Sequence, residues 1–258
     1  MNAIVYAALG TGFTFLMTAL GSMAVFFVPV QGRGCGKRIC LGFAAGVMVA
    51  ATVWSLLIPA LEHVHGGTLP VVVGVVLGAL MLIVLESMME RLKPAAYLPR
   101  ALHTADQSSR LLFAAITLHN IPEGIAVGLS FALAVQSGQP AMLLAASSLA
   151  LGVGVQNLPE GAALSLPLRM EGLSVWKAFC IGTASAVVEP VFGILAVLAV
   201  TFAQPLLPYL LAFAAGAMLM VSVRELIPEA CCADEHYAGT LSVLTGFVLM
   251  MLLDVALG

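Results

Sequence analysis

Eight apolar stretches, each about as long as a bilayer is thick, follow one another along the chain. They cover residues 3–29, 39–61, 70–90, 110–136, 141–168, 175–203, 207–230 and 237–257. A membrane-spanning helix needs about 20 predominantly apolar residues, so each stretch can cross once. The breaks between them are short and polar or rich in Gly and Pro, as in QGRGCGKR, QSGQP and AQPLLP. This predicts an all-α integral membrane protein of eight transmembrane helices, built as a single transmembrane domain over 1–258. Charged residues make up 9% of the chain and hydrophobic residues 61%, where a soluble domain carries about 25% charged residues. A mean hydropathy of +1.09 excludes an ordinary soluble enzyme and a disordered chain. With a net charge of -3 and ten Lys+Arg, no nucleic-acid partner is expected. The five cysteines, Cys35, Cys40, Cys180, Cys231 and Cys232, have neither zinc-ribbon nor redox spacing.

Basic residues set the expected orientation. Arg33, Lys37 and Arg38 follow span one, Arg91, Lys93, Arg100 and Arg110 follow span three, and Arg169 and Lys177 follow span five. The connections after spans two, four and six have none. Lys and Arg accumulate on the cytoplasmic side, so both termini are expected outside. The remaining basic residue, Arg224, lies within span seven beside Glu225, where an ion pair with a neighbouring carboxylate is the plain expectation. The first Lys or Arg is Arg33, so 3–29 lacks the basic start of a cleaved signal and reads as a retained span.

Two internal echoes organise the chain. Asn120-Ile121-Pro122-Glu123-Gly124 returns as Asn157-Leu158-Pro159-Glu160-Gly161. Ala44-Ala45-Gly46-Val47-Met48 in span two matches Ala214-Ala215-Gly216-Ala217-Met218 in span seven, and Ile58-Pro59 matches Ile227-Pro228. Spans two and seven run in opposite directions, which predicts an inverted repeat of spans 1–3 and 6–8 around kinked spans 4 and 5. Such repeats place a substrate site near mid-membrane.

Ionisable residues inside hydrocarbon need a reason. Span four carries His119, Asn120 and Glu123, span five Gln156, Asn157 and Glu160, and span six Glu189. All seven lie near the midpoints of their spans. His119 and Glu123 share a helix face at i, i+4, as do Gln156 and Glu160. Pro122, Pro159 and Pro190 cannot bond the carbonyls of Leu118, Val155 and Ala186, which leaves further oxygen donors. Three carboxylates without a nearby Lys or Arg would protonate unless one or two divalent cations met them. Imidazole, amide and carboxylate suit zinc, iron, cobalt or manganese. They suit an ion that leaves better than a closed Cys/His site does. The plainer alternative is polar residues bonding helix to helix.

The sequences LHNIPEGIAVG and VQNLPEGAAL resemble the ZIP (Zrt-/Irt-like protein) family of divalent metal transporters, particularly its bacterial ZupT-like and GufA-like branches. The resemblance covers essentially the whole chain. It implies import of Zn2+ into the cytoplasm across a bacterial inner membrane, with Fe2+, Mn2+, Co2+ and Cd2+ as further substrates. It implies a binuclear centre in which His119, Glu123, Gln156, Glu160 and Glu189 hold one ion. Asn120, Glu123, Asn157, Glu160 and Glu189 would hold the other, with Met48 beside the first. It also implies an elevator motion of spans one, four, five and six past the remaining four, and a homodimer. Two features depart from the pattern. Asn157 stands where many relatives have Asp, and Arg224 where some have His.

Lesser clusters are Glu62, His63 and His65 after span two, and Glu229, Cys231, Cys232, Asp234, Glu235 and His236 after span seven. Each reads as a solvated turn or as a place to capture or receive metal. Glu86 and Glu90 can snorkel from the end of span three, and the 91–109 connection offers only His103 and Asp106. A metal-selective channel is the alternative to a secondary transporter. An intramembrane metalloprotease would need H-E-x-x-H, which the sequence lacks, so no enzyme is expected. In a background without native cysteines, Ser108→Cys is expected to be shielded from an impermeant thiol reagent in intact cells and Gln139→Cys to react. The opposite labelling pattern would invert the topology.

Overall fold

The computed structural model describes residues 2–27, 35–63, 67–91, 107–232 and 237–257. Among these every regular element is helical. In chain order the helices are α1 (Ala3–Ser22), α2 (Cys35–Ala51), α3 (Ile58–His63), α4 (Leu69–Arg91), α5 (Gln107–Ser137) and α6 (Pro140–Met170). They continue as α7 (Val175–Ala184), α8 (Val188–Leu198), α9 (Val200–Val221), α10 (Ile227–Cys231) and α11 (Ala238–Leu257). Seven stretches are long and apolar enough to cross a membrane, and Leu69–Val84 within α4 forms a shorter apolar helix. Leu9, Leu16, Val84, Leu144, Leu198 and Val255 project outward from their helices, as lipid-facing side chains do. The chain is an integral membrane helical protein.

Local chemistry sets the ends. The Asn2 side chain accepts the Ile4 N–H at 3.3 Å and caps α1, as N-cap residues do. Gly138 takes φ +65° between α5 and α6, a left-handed conformation that glycine adopts without strain. Pro140 then opens α6, where its missing N–H costs nothing. In two places the helix widens before an Ile-Pro pair. A π turn over Thr52–Leu57 precedes Ile58-Pro59, and another over Ser222–Leu226 precedes Ile227-Pro228. A proline cannot donate the i→i−4 bond, and one extra residue per turn re-registers the ladder.

The helices pack as two groups of tight pairs. In one, α2 packs on α11 and α4 on α9; in the other, α1 packs on α6 and α5 on α8, with α1 also against α5 and α8, and the groups meet where α5 packs on α9 and α2 on α6. Glycines bring these pairs to backbone contact. A Cβ on Gly46 would strike the Val243 carbonyl, and one on Gly246 the Phe43 carbonyl. In the α4–α9 pair, Gly216 meets the Val75 carbonyl and Gly78 that of Phe213 in the same way. In the second group, Gly21 meets Leu158, Gly161 meets Thr18, and Gly124 meets Glu189. Small residues at such contacts are how membrane helices approach closely.

Span six departs from the continuous helix expected over 175–203. It breaks at 185–187, where the Ala186 and Val187 N–H groups bond back to Thr183 and Ala184, each at 3.2 Å. Pro190 lies just after the break and cannot donate to the Ala186 carbonyl, which the break leaves to Glu189. The Ala186 carbonyl, expected to be free, accepts the Glu189 N–H at 3.0 Å. The backbone next leaves helical form at Ala199, and α9 then runs through Pro205 and Pro208, the stretch expected to be a break between spans. Cys40, Cys180, Cys231 and Cys232 are free thiols.

The close glycine contacts generate a paired expectation. Gly216→Ala forces α4 and α9 apart, and overpacking of this kind costs about 1–3 kcal/mol. Gly12→Ala meets open space and removes a helix-interior glycine, which gains about 0.5–1 kcal/mol. Thermal unfolding in detergent should show a lower midpoint for the first and an equal or higher one for the second.

Candidate metal centre

All seven polar residues singled out in spans four to six are buried, none more than 2% exposed. They separate into two neighbouring sets. His119 and Glu123, one turn apart on α5, face Glu160 on α6. His119 Nε2 lies 3.0 Å from Glu123 Oε1 and 3.6 Å from Glu160 Oε1. One ligand atom from each of these three residues falls within 4.8 Å of the others, and no other such His/Cys/Asp/Glu group occurs among the described residues. Gln156 donates from Nε2 to Glu123 Oε1, so the amide braces the carboxylate and keeps its own oxygen free.

The second set surrounds Glu189 in the first turn of α8. Asn157 Nδ2 donates to Glu189 Oε1 at 2.9 Å and Oε2 at 3.0 Å, and lies 3.3 Å from the Thr14 carbonyl. The Thr14 hydroxyl of α1 donates to Glu189 Oε2. The positive end of the α8 dipole favours the carboxylate in this position. Asn120 turns aside: its Nδ2 donates to the Ser185 carbonyl at 3.2 Å, satisfying the backbone exposed by the break in span six. Met48 is buried within the main apolar core, and its carbonyl accepts the Thr52 hydroxyl at 2.8 Å.

Many polar atoms here lack any hydrogen-bond partner. Both nitrogens of His119, Glu123 Oε2, both oxygens of Glu160, and the side-chain oxygens of Asn120, Gln156 and Asn157 are buried and unpaired. His119 Nε2 is close to two carboxylates yet out of hydrogen-bonding geometry with either. Buried polar groups are nearly always satisfied, and a cluster of exceptions needs a cause. The imidazole and carboxylate lone pairs of His119, Glu123 and Glu160, within 4.8 Å of one another, fit a divalent cation.

Two cavities lie at opposite ends of α6. One of about 640 Å³ is lined by Trp54, Ser55, Glu62, Ser148 and Asp254. The other, of about 420 Å³, is lined by Ser109, Glu171, Arg224, Glu225, Glu229 and Cys232. Arg224 Nε is 3.9 Å from Glu225 Oε1; this is the expected ion pair, and its half-exposed setting makes it weak. Glu62 faces the first cavity, and Glu229 and Cys232 the second. His65, His103, Asp106, Asp234, Glu235 and His236, and the side chains of His63, Glu86 and Glu90, lie outside the described residues.

Sequence reasoning missed Thr14. Its signal is a stripe of Thr11, Thr14, Thr18 and Ser22 along α1, all fully buried, at spacings that share one helix face.

The ZIP zinc transporter family model matches residues 100–254. The chain is 36% identical to the zinc transporter ZIP11 of Homo sapiens, over all of this chain and 98% of the relative. It is 39% identical to the zinc transporter GufA of Myxococcus xanthus, over 93% of this chain and 94% of the relative. It is 34% identical to the zinc transporter ZIPB of Bordetella bronchiseptica, over 98% of this chain and 82% of the relative.

The unpaired carboxylate oxygens predict a trade between stability and binding. Glu160→Gln removes a buried charge, and an unsatisfied buried group costs about 1–3 kcal/mol or more when charged. In the presence of a chelator the variant should melt higher than the parent. Zinc should raise the parent's melting midpoint and leave the variant's unchanged.

Proposed function

Because the chain belongs to the ZIP zinc transporter family, we propose that it moves zinc across a membrane through a centre built on His119, Glu123 and Glu160. One observation carries this reading: three buried ligands with unpaired lone pairs meet at mid-span with no Lys or Arg partner. The wider set of His119, Asn120, Glu123, Gln156, Asn157, Glu160 and Glu189 lines the path of the ion, with Met48 beside it. Zinc is substrate rather than resident cofactor, and Fe2+, Mn2+, Co2+ and Cd2+ compete for the same oxygen-rich ligands. No catalytic chemistry is assigned.

Transport proceeds by alternating access, with α1, α5, α6, α7 and α8 moving as a carrier past the other helices. Support comes from the tight pairing of α1 with α6 and α5 with α8 on one side and of α2 with α11 and α4 with α9 on the other, and from cavities at both ends of α6. The near-complete burial of all seven residues favours a carrier over a channel, which would keep a continuous wet path. Eight spans are counted by adding α4 to the seven longer ones. The inverted repeat is supported by paired π turns before Ile-Pro and by the matching glycine contacts of α2–α11 and α9–α4. Residues 1–258 form one transmembrane domain. The basic residues put both termini outside; import toward the cytoplasm, a bacterial inner membrane and a homodimer follow from the family resemblance.

The test is zinc uptake into proteoliposomes. Glu123→Ala removes a ligand and the brace point of Gln156, and uptake should fall to background with the protein still folded. Cobalt, manganese, iron(II) and cadmium should each reduce zinc uptake by the parent at moderate excess. Near-normal uptake by Glu123→Ala would take the centre off the transport route.

A further inference from the structure

Glu189 is the one glutamate of the three whose two oxygens are both engaged, yet its charge is within electrostatic reach of Glu123, Glu160 and His119. Its partners come from two different helices: Thr14 from α1 and Asn157 from α6. Reversing the Asn157 amide would set its oxygen 2.9 Å and 3.0 Å from two carboxylate oxygens, a contact only a cation could hold. The donor orientation is therefore the one that fits without an ion between them. An Asp at this position could accept but not donate when ionised. We infer that Thr14 and Asn157 clamp Glu189 by hydrogen bonds in the place of a second cation, so that the resting centre binds a single ion at His119, Glu123 and Glu160.

Thr14 is a positioning residue in this arrangement and touches no metal. Its hydroxyl has one proton and two acceptors: Glu189 Oε2 and the Thr11 carbonyl, 2.9 Å away. Rotation of one hydroxyl thus transfers the bond from the carboxylate to the backbone of α1. Asn157 Nδ2 has two protons and three acceptors, including the Thr14 carbonyl. The clamp ties α1, α6 and α8 together at the level of the centre and seals the side of the site nearest α1. The Thr14 side chain and Glu189 are both fully buried, so water does not compete for these bonds.

This inference rests on the metal-substrate reading above, and the test separates the two. Bound zinc is counted at equilibrium on the purified full-length chain, with zinc as the only metal, for the parent and four variants. The parent should hold one ion per chain. Asn157→Asp exchanges a donor for a carboxylate and should hold two. Thr14→Val frees Glu189 and should also reach two at zinc levels where the parent holds one, whereas Thr14→Ser keeps the hydroxyl and should stay at one. A merely structural role for Thr14 would lower the melting midpoint of Thr14→Val without changing its zinc count. Two ions in the parent, unchanged in Asn157→Asp, would overturn the clamp and leave the centre standing. No zinc bound by the parent, with Glu123→Ala indistinguishable from it, would overturn the centre and the clamp together.

Discussion

A carboxylate taken into hydrocarbon without a partner costs several kcal/mol, and this constraint governs the helices around the site, α1, α5, α6 and α8. Glu123 and Glu160 are buried to about the same degree as the leucines around them. No Lys or Arg sits at their level in α5, α6 or α8. The protein meets part of the cost with its own amides, through Gln156 on Glu123 and Asn157 on Glu189. Glu160 and His119 keep unpaired atoms, and the proposed ion would meet that remainder. A site that satisfied every oxygen internally would be more stable and would have nothing to offer a cation. One that satisfied none would drive its glutamates to take up protons instead.

That placement depends on how closely the helices approach. Gly124 sits one residue after Glu123, at the point where α5 meets the backbone of Glu189. Gly161 follows Glu160 at the point where α6 meets Thr18. A glycine beside each glutamate lets the adjoining helix come near enough for Glu189 and Thr14 to reach the site. The outer pairs, α2–α11 and α4–α9, use the same device far from the chemistry. Close backbone packing thus holds the pairs within each group, while α5 on α9 and α2 on α6 join the groups to each other.

Much of this was legible in the sequence, for physical reasons that can be named. Apolar length gives the helices, because hydrocarbon leaves the backbone no other partner. The doubled Asn-x-Pro-Glu-Gly gives the level and the face, because i, i+4 spacing is enforced by the helix itself. Thr14 was not legible because a threonine in a membrane helix usually bonds its own backbone, as Thr11 does to Ala7 at 2.7 Å. Only the approach of α8 distinguishes the two. The separation of the seven residues into one set around His119, Glu123 and Glu160 and another around Glu189 was hidden as well. Helical spacing shows which residues share a face but not which neighbour an amide turns toward. Pro190 lies just after the break at 185–187, yet where the freed carbonyls go depends on Glu189 and Asn120, which only tertiary contact brings there.

The histidine illustrates how the same constraint shapes turnover. A histidine that holds a metal permanently has its second nitrogen tied to a carboxylate or carbonyl, which fixes the ring and raises its basicity as a ligand. His119 Nδ1 has no such partner. Its ring is held by packing alone, and the nitrogen facing the glutamates is a weaker donor than a supported one. The amide oxygen of Gln156, whose nitrogen braces Glu123, is a weak donor too and carries no charge. A storage or structural site would be poorly served by this set. A centre that must take an ion from one side and give it up on the other needs affinity low enough to reverse. In the proposed centre, an unsupported imidazole, a neutral amide and two glutamates would provide it without any change of residue between loading and release.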